Sequence, residues 1–181
     1  MPSHRRIRAL PEPSSSPSWK LAQLAAKDAE SLARLHARCF DKPWSANDFR
    51  RFAAWPPYFG LTAWRSGESS GIIVVSMAGT DSDILSFCVD PAFRRRGVAS
   101  ALIRRLSFDI ARLGVETLFL EVEIGNAAAV ALYRGYGFED CGRRPGYYDT
   151  PAGPQDALIM RLSLAIPAGS DADGQAPTHS C

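Results

Sequence analysis

The stretch Ile84-Leu-Ser-Phe-Cys-Val-Asp-Pro-Ala-Phe-Arg-Arg-Arg-Gly-Val-Ala99 decides how the chain is read. Ile84 to Val89 is a buried strand by its apolar and β-branched content, and Asp90-Pro91 stops it. Arg94, Arg95 and Arg96 follow, and a long helical pattern opens at Gly97. The first backbone N–H groups of a helix have no partner within it and carry the positive end of its dipole. Gly97 lets an anion come close to the backbone, and the arginines add charge. Strand, basic loop and helix start in that order make a pyrophosphate cradle. A basic surface turn capping a helix would carry the same arginines; the strand and proline before it and the helix after it favour the cradle. A P-loop is excluded because no Gly-Lys-Ser/Thr follows. Only Gly97 is present of the three glycines that a dinucleotide-binding turn wants.

Outward from this segment, regular structure is expected from Trp19. Leu32, Leu35, Cys39 and Phe40 recur at helical spacing between Asp28, a candidate N-cap, and Phe40. A second helix starts at Ser45, where Ser45 and Asp48 form a capping-box pair and Phe49 and Phe52 face inward. Strands are predicted over 60–65, 71–77 and 84–89, separated by turns at 66–70 and 81–83. The helix from about Gly97 to Leu113 carries the stripe Val98, Leu102, Leu106, Ile110 and Leu113, with Gly114 at C′. Thr117 to Glu123 is a strand, Asn126 caps a helix of 127–136 closed by Gly137, and strands 138–142 and 157–164 flank an Arg-Pro-Gly-Tyr-Tyr loop. This order gives an α/β (α+β) fold with a mixed sheet and helices on its faces. Residues 1–18 read as a disordered basic Pro/Ser-rich arm, 19–165 as a single domain and 166–181 as a disordered tail.

The chain has 181 residues, 46% of them apolar, and a formal net charge of +2. That charge is too small to argue for a nucleic-acid or membrane-surface partner, so an anion site must be local. No apolar run approaches the length needed to span a bilayer, and the N-terminus lacks the apolar stretch of a secretory signal. A cytoplasmic protein with reduced thiols is the expectation. Cys39, Cys88, Cys141 and Cys181 are far apart without CxxC spacing, so no metal site is expected. His36 is placed at a helix surface or edge.

The segment Arg94-x-x-Gly97-x-Ala99 after Val89-Asp90-Pro91 resembles the Arg/Gln-x-x-Gly-x-Gly/Ala motif of GNAT acetyltransferases. A second block is similar to the ribosomal-protein-alanine (RimI-like) branch of that family: Leu118-Phe-Leu-Glu-Val-Glu-Ile-Gly-Asn-Ala-Ala-Ala-Val-Ala-Leu-Tyr133, then Gly135-Tyr-Gly-Phe138. So are Pro43-Trp44-Ser45, Tyr147-Tyr148 and Asp156-Ala157-Leu158-Ile159-Met160. The resemblance covers roughly residues 21 to 164. It implies a mostly antiparallel sheet in which acetyl-CoA lies between two splayed parallel strands, 84–89 and 117–123. The backbone of Phe87, Cys88 and Val89 would pair with the pantetheine and thioester. Arg94, Arg95, Arg96, Gly97, Val98, Ala99 and Ser100 would hold the pyrophosphate, and Asn126 would contact the cofactor. Glu121 aligns with the general base and Tyr133 with the general acid. Trp44, Glu123, Tyr147 and Tyr148 are assigned to acceptor binding. The implied acceptor is the N-terminal α-amine of a protein or peptide, a ribosomal protein among them. A small-molecule amine, a lysine, or acetyl-CoA sensing without turnover are the alternatives. Relatives often carry Arg at the position of Glu123 and a small residue at that of Ile124.

The residues support these roles on their own chemistry. Glu121 sits mid-strand among Phe119, Leu120 and Val122, where a carboxylate is costly unless it is paired or lines a cavity. A solvent-facing strand Glu is the plainer alternative. Tyr133 lies seven residues after Asn126 in an alanine-rich helix, where simple core packing is the alternative. Glu123 shares a strand face with Glu121 by period-two alternation. Cys88 is disfavoured as an acyl carrier because an apolar strand raises a thiol pKa. An N-terminal amine titrates near ~8, whereas a lysine near ~10.4 costs about 3 kcal/mol more to deprotonate at neutral pH. A carboxylate base acting through water suits the first. A thiol near ~8.5 lies below a tyrosine near ~10, so Tyr133 is expected to hydrogen-bond the leaving sulfur and to transfer its proton late.

Overall fold

The computed structural model describes residues 19–150 and 153–164. The expected arm over 1–18 and tail over 166–181 lie outside the described residues. Seven strands form one sheet in the order β1-β2-β3-β4-β5-β7-β6. They are β1 (Lys20–Gln23), β2 (Tyr58–Arg65), β3 (Glu68–Ala78), β4 (Asp81–Val89), β5 (Thr117–Glu123), β6 (Glu139–Thr150) and β7 (Gly153–Ser163). Every pairing is antiparallel except β4 with β5. The helices are α1 (Ala29–Ala37), α2 (Ala46–Ala54), α3 (Val98–Arg112) and α4 (Ala127–Gly135).

Two apolar clusters hold the helices to opposite faces. Leu32, Leu35 and Phe49 of α1 and α2 pack on Ile72 and Val74. Val98, Leu102, Leu106 and Ile110 of α3 pack on Leu61, Ile73 and Val75, together with Leu118, Leu120 and Val122 of β5 and Val130 and Tyr133 of α4. Alternate residues of β3 thus point to the two clusters, as the pleat requires. α3 lies so close to β3 at Gly71 that a Cβ there would stand 2.8 Å from Val98 Cγ1 and 3.0 Å from Leu102 Cδ1. Only glycine lets the helix that begins at the arginine loop settle this deeply.

The capping box forms as expected: Ser45 Oγ accepts from the Asp48 amide at 3.3 Å, and Asp48 accepts from the Ser45 amide at 2.8 Å. Other boundaries differ from the sequence expectation. Asp28 precedes α1 but makes no side-chain cap bond. α1 ends at Ala37, so Cys39 and Phe40 leave the helical stripe, and Phe40 is 39% exposed. α3 ends at Arg112, which leaves Leu113 exposed beyond it. The first hairpin turn needs only Ser66 and Gly67, both at positive φ, so β3 begins at Glu68. Asp81 to Asp83 are strand, with the turn one step earlier at Gly79-Thr80.

The largest departure is at the end of the chain, where β6 and β7 form one long hairpin. The Arg-Pro-Gly-Tyr-Tyr segment lies inside β6 as a bulge: Arg144 pairs with Ala157 and Tyr148 with Gln155, so Pro145, Gly146 and Tyr147 oppose Asp156 alone. Asp156 accepts from the Gly146 amide at 3.0 Å, which satisfies the backbone that the bulge unpairs. β1, which adds an edge strand, was not anticipated.

Candidate active site

The sheet opens where β4 and β5 part. Their ladder runs only from Asp81 with Thr117 to Asp83 with Phe119, although β4 continues to Val89 and β5 to Glu123. Phe87, Cys88 and Val89 therefore have no strand on their β5 side, and an extended ligand can take that edge.

Beyond the gap, Asp90 shapes the loop. Its Oδ1 accepts from the Ala92 amide at 2.9 Å, and its Oδ2 meets Arg38 Nε at 2.7 Å. Arg94 Nε donates to the Val89 carbonyl at 3.2 Å. Arg95 (φ 60°) and Gly97 (φ 84°) take left-handed conformations on either side of Arg96. No side chain caps the N-terminus of α3. Its first amides stay unclaimed, with the helix dipole behind them.

Loop, free strand edge and α4 enclose a cavity of about 670 Å³. The sequence-derived residues Phe87, Cys88, Val89, Arg94, Arg95, Gly97, Val98, Ala99, Ser100, Asn126 and Tyr133 all line it. Asn126 caps α4 by accepting from the Ala129 amide at 3.1 Å. Tyr136 Oη donates to the Ser100 carbonyl at 2.8 Å and ties α4 to the first turn of α3. Tyr133 is 8% exposed and packs against Phe138 and Phe87. Burial pushes its phenol well above the usual range, which keeps it protonated as a donor. Cys88 is likewise pushed up, by the neighbouring Cys39 thiol and by burial, which opposes a nucleophilic thiolate.

A second group of side chains gathers on β5 and the β6 bulge. Glu121 Oε1 stands 2.9 Å from Arg144 Nε. The Tyr147 phenol lies beside the Glu121 carboxylate, whose closeness and charge push it up. Tyr148 Oη donates to the Glu121 carbonyl at 3.4 Å. Burial and then Glu121 push the Asp83 carboxyl up, so Asp83 stands in the same electrostatic neighbourhood. Glu123 lies one pleat on from Glu121 along the same half-buried face of β5. Among the described residues no group of three or more His, Cys, Asp or Glu could hold a metal ion.

Two sequence-derived residues point elsewhere. The Arg96 side chain lies over the Phe93 ring, 6.0 Å from its centroid, and does not line the cavity. Trp44 packs in an aromatic cluster with His36, Phe49 and Phe52, away from the cavity. His36 itself is not at the surface, as expected from sequence, but 3% exposed. Its Nδ1 accepts from the Trp44 amide at 3.1 Å, which leaves Nε2 as the donor to Ser86 Oγ at 3.0 Å. Cys39, Phe40, Phe93 and Leu132 also line the cavity, and Arg144 meets Glu121; sequence reasoning singled out none of them for these places. All but Phe93 arrive through tertiary packing, which leaves no local signal. Phe93 lies inside the decisive segment, between its proline and its arginines, where an aromatic side chain carries no signal of its own.

The Acetyltransferase (GNAT) family matches residues 29–138 of the chain. The [Ribosomal protein bS18]-alanine N-acetyltransferase of Escherichia coli K12 is 30% identical over 146 residues, covering 81% of this chain and 98% of the relative. The N-alpha-acetyltransferase RimI of Mycobacterium tuberculosis is 35% identical over 154 residues, covering 82% and 94%. The crystal structure of the Escherichia coli ribosomal-protein-S18-alanine N-acetyltransferase superposes with a TM-score of 0.76 at 29% identity, covering 86% of this chain and 99% of that one. Arabidopsis thaliana NAA60 in complex with acetyl-CoA shares the fold, with a TM-score of 0.71 at 19% identity. A sheet parted at β4 and β5, an uncapped helix end beside the gap, and relatives matched over nearly their whole length lead to one assignment: the chain belongs to the GNAT family and is an N-acetyltransferase that draws its acetyl group from acetyl-CoA.

Proposed function

We propose that the cavity between β4, α3 and α4 takes acetyl-CoA, and that Glu121 receives the N-terminal α-amine of a protein from the β5–β6 side. One observation carries this reading: the parted strands lie between an uncapped helix N-terminus and a paired carboxylate. The residues fit the co-substrate. Loop amides and Arg94 and Arg95 suit a diphosphate, and the free edge at Phe87–Val89 suits the amides of a pantetheine arm. When bound there, acetyl-CoA supplies a thioester carbonyl for attack by an amine.

In this reading Glu121 takes a proton from the acceptor ammonium, directly or through water, and leaves a neutral nucleophile. Backbone amides of β4 hold the carbonyl in place. Tyr133 donates a hydrogen bond to the departing sulfur; its raised affinity for its own proton makes complete transfer late. Tyr147, Tyr148 and Glu123 border the acceptor entrance. The Escherichia coli relative, named for an alanine of ribosomal protein bS18, makes such an N-terminus, in the cytoplasm, the first acceptor to test. No helix among the described residues is long and apolar enough to cross a membrane.

The test offers acetyl-CoA with two peptides, read by mass. One has a free N-terminal alanine and no lysine; the other has a blocked N-terminus and internal lysines. Acetylation of the first alone is the expected result. Acetylation of the second alone transfers the enzyme to lysine or small-amine acceptors. Binding of acetyl-CoA without any transfer, followed by a negative small-amine screen, leaves a sensor.

A further inference from the structure

Trp19, just before β1, makes three contacts, two of them with the arginine loop and one with Arg65 at the end of β2. Its indole Nε1 donates to the Arg96 carbonyl at 3.3 Å. Its ring meets Phe93 edge-on, with centroids 5.8 Å apart, and the Arg65 guanidinium lies over it at 5.3 Å. Trp19 and Arg96 both lie outside the lining of the cavity. The Arg96 carbonyl thus faces Trp19, while Gly97, Val98, Ala99 and Ser100 line the cavity.

This matters because the Arg96–Gly97 peptide has two orientations available. Rotating that unit changes ψ of Arg96 and φ of Gly97, and glycine accepts nearly any φ. The rotated peptide would carry its carbonyl oxygen toward the cradle and the Gly97 amide away from it. A carbonyl dipole would then oppose an anion in place of a donor. Sterics at Gly97 do not choose between the two, and Arg95 before it already sits at φ 60°. The hydrogen bond from Trp19 favours the orientation observed.

We propose that Trp19 is a positioning residue for the diphosphate loop, holding the Arg96–Gly97 peptide in the orientation that presents amides to the anion. The proposal rests on the reading that this loop takes the diphosphate of acetyl-CoA.

Calorimetric titration tests it with two probes on the full chain: acetyl-CoA, and S-acetyl-pantetheine, which lacks the diphosphate. The variants are Trp19→Phe and Trp19→Leu, both apolar and both without the N–H donor, so either one that folds reads the proposal. Loss of one hydrogen bond's selection is expected to weaken acetyl-CoA about threefold to tenfold. S-acetyl-pantetheine should change less than about twofold, with kcat at saturating acetyl-CoA unmoved. If the wild type prefers acetyl-CoA over S-acetyl-pantetheine and the variants keep the whole preference, Trp19 does not position the loop. Equal weakening of both probes makes its role a general structural one and also overturns the proposal. If the wild type shows no preference at all, the diphosphate reading of the loop is what has failed.

Discussion

Arg144 reaches across β7 to place its Nε 2.9 Å from Oε1 of Glu121, although the residue in line with it on β5, through Ala157, is Glu123. Ala157 is fully buried and small, which leaves room for the diagonal. The carboxylate proposed to receive the acceptor ammonium is therefore already held by a cation. A guanidinium and an ammonium compete for the same oxygens, so Arg144→Gln should tighten acceptor binding. The pair is partly exposed, at 55% and 27% of the two side chains, which limits its worth to about 1 kcal/mol. The peptide KM should fall by up to about fivefold, with the acetyl-CoA KM unchanged. A peptide KM that rises would show that Arg144 contacts the acceptor instead of competing with it.

Glu121→Gln keeps size and polarity but removes the proposed base. An α-amine with a pKa near ~8 is roughly a tenth neutral at pH 7 and mostly neutral at pH 9. The variant should lose about tenfold to a hundredfold in kcat/KM at pH 7, and much less at pH 9, where the amine needs no base. Steady-state rates across that range decide it. A deficit that stays constant with pH assigns Glu121 to positioning.

The phenol of Tyr133 is buried against Phe87 and Phe138 and held in its protonated form. Tyr133→Phe preserves the ring packing and removes only the donor. Turnover should drop about tenfold while acetyl-CoA affinity changes less than about twofold, since the hydrogen bond strengthens as charge grows on sulfur. Unchanged turnover would remove Tyr133 from the mechanism.

The parts of the site that a reader of the sequence could find are those built from consecutive residues. The loop from Arg94 to Ser100, the Asn126 cap and the position of Tyr133 in α4 all follow from local geometry, and all but Arg96 of these residues line the cavity. Glu121 was legible as a carboxylate in need of a partner, but Arg144 was not, because the two meet through a register set by the β6 bulge. That bulge hid for a physical reason: Pro145-Gly146 reads as a loop until Asp156 supplies the missing acceptor. His36 shows the reverse failure. A histidine on an amphipathic helix reads as surface, and only Trp44, from the loop beyond α1, and Ser86, from distant β4, make its burial tolerable.

His36 gives the pH dependence of stability. Its folded-state pKa is lowered to about 4 because burial opposes the charged ring, an effect that Asp48 only partly offsets. The imidazole must also stay neutral to accept from the Trp44 amide at Nδ1. In the unfolded chain the same ring titrates near ~6.5. Below that pH the unfolded state binds a proton that the native state refuses, so stability is unpenalised above about pH 6.5 and declines as pH falls toward 4. The whole interval costs about 3 kcal/mol at most. His36→Asn, whose amide oxygen can still accept from Trp44, should be less stable at pH 7 yet lose stability more slowly between pH 6.5 and 4.5. Urea unfolding of both proteins at several pH values in that window makes the comparison, and titrating groups that do not interact with His36, as Asp48 does, cancel in the difference. Parallel curves would mean that the acid sensitivity of the fold comes from other groups. In that case the Trp44–His36–Ser86 link holds α1 and β4 together without coupling them to pH.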